Sequence, residues 1–380
     1  MSEGVRRCPP ESDRPPVSEG VRPSAGVRPC PTVSDRPPRL LPGHAVCVTS
    51  HPRTPLSILD LAFIGTGESA ADAFTASVAL AQCAEQNGYR RVWYAEHHNM
   101  ASIASSATSV LIAHVAAHTS TIRLGAGGVM LPNHSPLAIA EQFGTLESLH
   151  PGRIDLGLGR APGSDQATMR AMRTDPRASD RFPDDVLELQ GYLGASSRVA
   201  GVVAVPGANT HVPLYILGSS LFGARLAAAF GLPYSFASHF APGALLDAVA
   251  LYRSEFTPSE QLAEPYVMAG VNVICAESAD DAEAQRLTVS RRRVARFVTP
   301  KRALTDDEAD AMLASPQGRQ IAQMMHYTAA GTPSDVVRYL DNFAAEAGID
   351  ELMTVHPSPK LDARLRSVAM LADAHDPVTI

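Results

Sequence analysis

Eight short apolar segments alternate with helical patterns from Pro55 to the end of the chain, and this alternation most constrains the fold. The predicted strands are Ser57–Leu61, Arg91–Tyr94, Ile122–Val129, Arg153–Leu158, Leu214–Leu217, Tyr234–Ala237, Tyr266–Ile274 and Glu351–Val355. They are nearly all apolar, which is typical of parallel strands that are buried on both faces. Eight strands that alternate with helices favour βα units that close into a barrel. The sequence therefore predicts an α/β fold, a (β/α)8 TIM barrel.

Helical patterns fill the segments between the predicted strands. The predicted helices are Ala71–Gln86, Ser106–His118, Pro136–Ser148, Asp184–Leu193, Leu221–Phe230, Ala244–Phe256, Ala279–Arg293, Pro333–Ala347 and Lys360–Ala374. Two connections, Ala161–Val212 and Thr299–Tyr327, are longer than a minimal barrel needs. Because active sites of such barrels lie at the carboxyl ends of the strands, we expect these insertions on that face, the second as a mobile lid.

The first fifty residues differ in composition from the rest of the chain. The segment SEGVR occurs at Ser2–Arg6 and Ser18–Arg22, and SDRPP occurs at Ser12–Pro16 and Ser34–Pro38. Such a repetitive segment, rich in Pro, Arg and Ser, cannot bury enough apolar area to offset its chain entropy. We therefore predict that residues 1–50 form a disordered tail and that residues 51–380 form the barrel domain.

Charge and apolar patterning exclude several classes of protein. The net charge of −7 gives no basic excess for binding nucleic acid or an anionic membrane surface. The sequence contains no run of about 18 apolar residues, so we expect no membrane span. The five cysteines are scattered without CxxC spacing, so we expect no zinc site and a cytoplasmic protein.

Three titratable residues, Glu96-His97-His98, follow the second predicted strand. This position lies at the carboxyl end of the barrel, where catalytic side chains are found. A metal site is the competing interpretation, but adjacent His97 and His98 would point to opposite sides of a strand. The first predicted strand, Ser57–Leu61, also has no histidine, so we expect no metal ion.

Small and basic residues follow the third, fourth and fifth predicted strands. Gly127-Gly128 would allow a flat ligand to approach the backbone closely. Arg160 supplies a cation for an anionic ligand or a structural salt bridge. Gly218-Ser219-Ser220 opens a helix whose free N–H groups favour a phosphate. The sequence has neither GxGxxG nor GxxxxGK[ST], so no Rossmann or P-loop site is predicted.

Five segments, in their order and spacing, closely resemble the luciferase-like flavin-dependent monooxygenases. They are VWYAEHH, IRLGAGGVMLPNHSP, GRIDLGLGRAPG, PLYILGSS and GLPYSFASHF, and the last βα unit matches the GTP…GID ending of that family. The resemblance extends from about Leu56 to the C-terminus. It is closest to the single-chain subgroup named after a polyketide tailoring oxygenase.

The resemblance implies roles for individual residues. His97 matches the catalytic histidine beside the reactive edge of the isoalloxazine. From their positions beside it in the chain, and not from the resemblance, we expect Glu96 or His98 to orient it through a hydrogen bond. Gly127-Gly128 matches a non-proline cis peptide under the flavin ring, and Ser219-Ser220 matches the phosphate-binding turn. The expected cofactor-binding residues are Glu96, His98, Gly127, Gly128, Arg160, Arg181, Gly218, Ser219 and Ser220.

The activity implied by the resemblance is a two-component monooxygenase. Reduced FMN from a separate flavin reductase would react with O₂ to give a C4a-peroxyflavin that oxygenates a small organic substrate, and we expect a homodimer. Ser219 and Gly159 replace the glutamate and the reactive cysteine of the luciferase α-subunit, so light emission is not implied. Two alternatives remain open: an F420-dependent hydride-transfer enzyme and a non-catalytic flavin-binding protein, both of the same fold.

Overall fold

The computed structural model describes residues 53–161, 165–299, 302 and 304–375. The predicted tail, residues 1–50, lies outside this described part of the chain. Within it, nine strands form one parallel sheet. They are β1 (Leu56–Asp60), β2 (Arg91–Tyr94), β3 (Arg123–Met130), β4 (Ile154–Gly159), β5 (Leu214–Gly218), β6 (Tyr234–Phe236), β7 (Val267–Cys275), β8 (Thr328–Gly331) and β9 (Glu351–Val355).

Eight of these strands close into the predicted barrel. Neighbouring strands from β1 to β7 pair in chain order, and β9 closes the ring between β7 and β1. Leu56 is paired with Leu352 across this closure, and Leu352 also pairs with Ala269. All eight predicted strands are confirmed, and no strand end differs from its prediction by more than one residue. The fold is therefore a (β/α)8 barrel.

Strand β8 was not predicted, and it lies outside the barrel. Asn272 of β7 pairs with Val355 of β9 and with Thr328 of β8, so β8 and β9 occupy opposite edges of β7. Along one edge of β7, its first residues pair with β6 and its last residues pair with β8. The sequence Thr-Ala-Ala-Gly lacks the large β-branched and aromatic residues that indicate a strand, so pairing with the long β7 determines it.

Helices surround the barrel and fill both insertions. They are α1 (Ala70–Gln86), α2 (Thr108–Ala116), α3 (Pro136–Leu149), α4 (Gln166–Met172), α5 (Phe182–Leu193), α6 (Leu221–Phe230), α7 (Leu245–Glu255), α8 (Ala279–Val298), α9 (Asp306–Ala314), α10 (Pro316–Gln323), α11 (Pro333–Ala347) and α12 (Leu361–His375). Ser135 caps α3 by accepting from the backbone N–H of Ala138, as the Ser-Pro sequence predicts. The nine predicted helices are confirmed, whereas α4, α9 and α10 were not foreseen.

The second insertion packs on α8, which is longer than predicted. This helix continues to Val298 rather than ending at Arg293. Buried Val294 contacts Ala309 of α9 and Ile321 of α10 in a small apolar cluster. Arg291 binds Asp306 and Asp310 of α9 through its guanidinium. Tertiary packing against α9 and α10 therefore stabilises the last turns of α8.

Charged side chains fill the amino end of the barrel. Arg91, at the start of β2, forms buried ion pairs with Asp155 of β4 and Glu351 of β9, both at 2.8 Å. Tyr215 of β5 accepts a hydrogen bond of 2.7 Å from the same guanidinium. Because the charged side chains at this end are paired with one another, a ligand is expected to bind at the opposite, carboxyl end.

Candidate active site

The carboxylate of Glu96 is buried two residues after the end of β2. It accepts hydrogen bonds from the backbone N–H of Met130 at 3.0 Å, from Nε2 of His98 at 2.8 Å and from Nε2 of His134 at 2.9 Å. Burial by itself would raise the pKa of Glu96, but the bonds from His134, His98 and Met130 outweigh burial and hold the pKa below its usual value. An ionised Glu96 therefore ties the loop after β3 to the loop after β2.

The neighbouring His97 has a different environment. Its backbone N–H donates to the carbonyl of Ser105 at 3.2 Å, and no hydrogen bond from the ring to Glu96 or His98 is found in the described structure. Burial lowers the pKa of His97, and the positive charge of Arg296 lowers it further, while the Ala95 backbone raises it. Nδ1 is buried, and the Ala95 contact does not meet the geometry of a hydrogen bond. His97 is therefore a neutral imidazole with an unused nitrogen.

The glycines of β3 bring its backbone against neighbouring elements. The peptide bond between Gly127 and Gly128 is cis, as the family resemblance implies. The pairing of β3 with β4 shifts register between Ala126 and Val129. The backbone N–H of Glu96 donates to the carbonyl of Gly128 at 3.4 Å. The irregular part of β3 thus lies directly beside the Glu96–His97 segment.

The start of α6 has the features of an anion site. Ser219 and Ser220 are exposed after Gly218, the last residue of β5, and no hydrogen bond of either hydroxyl is found within the described residues. Ser220 is the N-cap residue, yet no side-chain oxygen caps the first turn. The guanidinium of Arg160 lies 4.0 Å from the ring centroid of Phe222. Free N–H groups, two hydroxyls and a cation therefore meet at one helix start.

Arg181 lies near this region without a direct contact to the serine turn. It ends the 3₁₀ turn Ala178–Arg181, in which Ser179 donates to the carbonyl of Arg160 at 3.2 Å. The Arg181 side chain is exposed, and its charge lowers the pKa of Asp185, although burial raises that pKa overall. The 3₁₀ turn therefore contacts Arg160, whereas the charge of Arg181 acts on Asp185 of α5.

Four residues at the carboxyl end were not identified from the sequence: His134, His239, Arg293 and Arg296. His239 follows β6, so its place at a strand end was a usable signal. Arg293 and Arg296 lie on α8, where a run of arginines is typical of a solvated helix face. Burial and the charges of Arg293 and His97 lower the pKa of His239 to about 3. His97 and His239 therefore lie in one electrostatic environment with the α8 arginines.

Neither a metal site nor a membrane-spanning helix is found among the described residues. No group of three or more His, Cys, Asp or Glu side chains in this part of the chain could hold a metal ion. None of the described helices combines the length and the apolar character that crossing a membrane requires.

Comparison with known proteins identifies the family. The sequence model of the luciferase-like monooxygenases matches residues 54–351. A luciferase-like monooxygenase of Escherichia coli is 47% identical over 84% of this chain and 96% of its own. An N-acetyl-S-alkylcysteine monooxygenase of Bacillus subtilis is 33% identical over 84% of this chain and 97% of its own.

Solved structures agree with the sequence comparisons. The crystal structure of apo-MsnO8 has a TM-score of 0.78 at 33% identity and covers 86% of this chain and all of its own. Two more distant structures share the fold. The FMN complex of the oxygenating constituent of 3,6-diketocamphane monooxygenase from Pseudomonas putida has a TM-score of 0.64 at 15% identity, covering 86% of this chain and 100% of its own. An F420-dependent secondary alcohol dehydrogenase also has a TM-score of 0.64, at 14% identity, covering 85% and 99%. This chain belongs to the luciferase-like monooxygenase family of oxidoreductases.

Proposed function

We propose that this protein is a two-component, FMN-dependent monooxygenase that oxygenates a small organic substrate. A separate flavin reductase would supply the reduced cofactor. The names of the Escherichia coli and Bacillus subtilis relatives support oxygenation as the reaction class. The observation that carries the proposal is the start of α6, which has no side-chain cap and lies beside Arg160. It is at the same carboxyl end of the barrel as the neutral imidazole of His97.

The residues at the start of α6 fit the phosphate of FMN. Backbone N–H groups at a helix start bind phosphate through direct hydrogen bonds and the helix dipole. The exposed hydroxyls of Ser219 and Ser220 add two donors, and Arg160 adds a charge-assisted contact. In this assignment Gly127-Gly128 lies under the ring system, and the absence of side chains lets β3 pack closely on Trp93 and on Gly157 of β4.

His97 is assigned the proton-handling role. When bound, reduced flavin supplies the electrons and the activation of O₂, while the protein orients the reactants and excludes water. A neutral imidazole can accept a proton at its free nitrogen and return it later. Glu96 has a positioning role, because it fixes the loops after β2 and β3 without a hydrogen bond to the His97 ring.

The proposal is tested by cofactor titration and coupled turnover with the full-length protein. Reduced FMN, under anaerobic conditions, should bind more tightly than F420, and product should form only when a flavin reductase is present. A candidate substrate is N-acetyl-S-methylcysteine, which the name of the Bacillus subtilis relative indicates. Tight binding of F420 with hydride transfer, or flavin binding without any turnover, would instead support one of the two alternatives of the same fold.

A variant pair tests the phosphate assignment. Replacing Ser219 and Ser220 together by Asp should weaken binding of reduced FMN by about tenfold or more, since two carboxylates would repel the phosphate. The matched control replaces the adjacent, exposed Ser196 and Ser197 by Asp, which adds the same charge to the segment after α5 instead of to the start of α6. Equal affinities for both variants would show that the phosphate binds elsewhere.

A further inference from the structure

The last turns of α8 bring two arginines to the mouth of the barrel. The guanidinium of Arg296 lies 5.3 Å from the ring centroid of Phe63, in the segment after β1, and its charge acts on His97 after β2. The charge of Arg293 acts on His239 after β6. Two cations from one helix therefore approach two imidazoles that come from different strands of the barrel.

The position of His239 is fixed by its packing against β7. Gly270 leaves room for the imidazole, because a Cβ at this residue would collide with Nδ1 of His239. Asn272 of β7 donates to the His239 carbonyl at 2.7 Å through its side-chain amide. Nδ1 of His239 is buried and forms no hydrogen bond in the described structure. His97 and His239 thus each present a buried nitrogen whose hydrogen-bonding capacity is unused.

The two arginines have no counter-ion within the described part of the chain. Neither Arg293 nor Arg296 forms a salt bridge there, and Nη1 of Arg293 is buried without a hydrogen-bond partner. Arg291 on the same helix, by contrast, pairs with two carboxylates. Burial and the neighbouring Arg296 lower the pKa of Arg293 to about 10, so it remains charged at neutral pH.

An uncompensated cation of this kind costs stability, since burial removes its hydration without supplying a partner. The cost is offset when an anion binds, and a guanidinium is well suited to a carboxylate because its N–H groups match both oxygens. The whole chain carries a net charge of −7, so acidic residues are not scarce. Their absence from this cluster leaves it positive.

Exposed apolar side chains occur on three of the segments that contribute to this region. Met100, Phe240 and Phe297 are 42%, 42% and 50% exposed, although large apolar residues are usually buried. They follow β2, follow β6 and adjoin Arg296 on α8, respectively. The ring of Phe240 also contacts that of His239, with centroids 5.1 Å apart. A ligand for this region should combine an apolar body with an anionic end.

We propose that Arg293 and Arg296 bind the carboxylate of the substrate, so that the protein acts on small organic acids with an apolar portion. This inference rests on the proposed function for the reaction, but the binding site itself does not depend on it. The flavin phosphate is assigned to Arg160 and the start of α6, after β4 and β5. The α8 arginines belong to a separate part of the mouth, between the segments after β1, β2 and β6.

The test measures binding of alkanoates from butanoate to octanoate to the full-length protein by calorimetry near neutral pH. Each alkanoate is compared with the primary amide and the sulfonate of the same chain length. We expect at least one alkanoate to bind about tenfold or more tightly than its amide, and more tightly than its sulfonate. Equal binding of acid and amide would overturn the proposal, and a preference for sulfonates would overturn the assignment to a carboxylate.

Arginine variants locate the site. Arg293→Met, Arg296→Met and the double variant should each lose the preference for the acid, whereas the exposed Arg292→Met should keep it. The two single variants should also melt at a temperature equal to or above that of the wild type, because each removes a partly buried charge that has no counter-ion within the described residues. A preference that persists in the double variant, or melting temperatures that fall in both single variants, would contradict the proposal.

Flavin titrations separate this inference from the proposed function. The double variant should bind FMN within about threefold of the wild type. A loss of affinity for FMN but not for riboflavin would assign the two arginines to the flavin phosphate and overturn the inference. If the wild type binds no flavin while the acid preference follows the arginines, the proposed function fails and the carboxylate site stands.

Discussion

At the scale of single residues, Glu96 and His97 are adjacent in the chain but have different partners. Glu96 uses both carboxylate oxygens to bind Met130, His98 and His134, and no further strong acceptor site is left for a substrate. His97 lies in the same buried segment without comparable hydrogen bonds to its ring. Glu96, whose oxygens all accept hydrogen bonds, holds the two loops together. His97, whose Nδ1 has no hydrogen-bond partner in the described structure, can take part in proton transfer. No hydrogen bond from the His97 ring to Glu96 or His98 is found in the described structure, and the expectation that one of them orients His97 stays a prediction.

Replacing His97 by Ala should leave the fold and flavin binding intact but lower the oxygenation rate by about 10²–10⁴-fold, the usual contribution of a positioned acid–base group. The flavin contacts that we propose come mainly from β3, β5 and α6, so affinity should change little. Single-turnover kinetics with preloaded reduced FMN measures the rate. The exposed His118→Ala is the control. A stable, flavin-bound His97 variant with near-normal coupled turnover would contradict the assignment.

At the scale of elements, the sequence predicts best where local pattern and tertiary packing agree. The barrel strands are apolar on both faces, and α3 and α11 carry Pro at the first helical position, so these elements were predicted within a few residues. The end of α8 was misplaced because Val294 is stabilised by α9 and α10, which are distant in sequence. Because the predicted helix ended at Arg293, Arg296 fell outside it, and neither arginine was recognised as part of the site.

The approach of β3 to β4 depends on the absence of a side chain at Gly128. A Cβ at this position would lie 2.6 Å from the carbonyl oxygen of Gly157 and 2.8 Å from its carbon, both of which are backbone atoms. Gly128→Ala should therefore lower the free energy of unfolding by about 1–3 kcal/mol, the usual cost of overpacking. Urea denaturation measures this change.

The control for this prediction is Gly243→Ala, because a Cβ there has no neighbour within 4 Å. Its effect should stay within about 0.5 kcal/mol, as for other substitutions at open surface positions. Equal midpoints for the two variants would show that β3 and β4 can separate without cost.

At the scale of the whole molecule, the two ends of the barrel differ in how their charges are balanced. At the amino end, Asp155 and Glu351 raise the pKa of Arg91 although burial opposes this, and all three charges are compensated. At the carboxyl end, Arg293 and Arg296 have no such partners within the described residues. Stability is therefore concentrated at one end and binding capacity at the other, as is general for this fold.

Arg91→Met should be strongly destabilising, because it removes the buried cation that pairs with both Asp155 and Glu351. The cations that remain beside these carboxylates, Arg123 and Arg90, are partly exposed. Breaking a buried pair by removing one member costs about 3–5 kcal/mol. Arg90→Met is the matched control, since the Arg90 side chain is 47% exposed and lies 3.7 Å from Glu351. It should cost less than about 1 kcal/mol. Equal losses in chemical denaturation would show that the network is not the stabilising element.

Buried histidines should make the whole molecule sensitive to acid. Burial and the charge of Arg364 lower the pKa of His356 to about 3, and burial with Arg293 and His97 does the same for His239. In the unfolded chain a histidine has a pKa of about 6.5. Between these values the unfolded state binds more protons than the folded state, so stability is present above about pH 6.5 and falls as the pH decreases.

His356 allows this to be tested away from the proposed binding residues, because it contacts Ser367 at 2.9 Å and Thr354 at 3.2 Å between β9 and α12. One such histidine contributes about 1.4 kcal/mol per pH unit below its unfolded pKa, or about 2 kcal/mol between neutral pH and pH 5. His356→Gln keeps a donor and an acceptor but cannot titrate, so it should lose that much less stability over this interval than the wild type. Urea denaturation at several pH values measures the difference, and the exposed His118→Gln should follow the wild type. Identical pH slopes for the wild type and His356→Gln would mean that the folded protein accommodates a charged imidazole at this position.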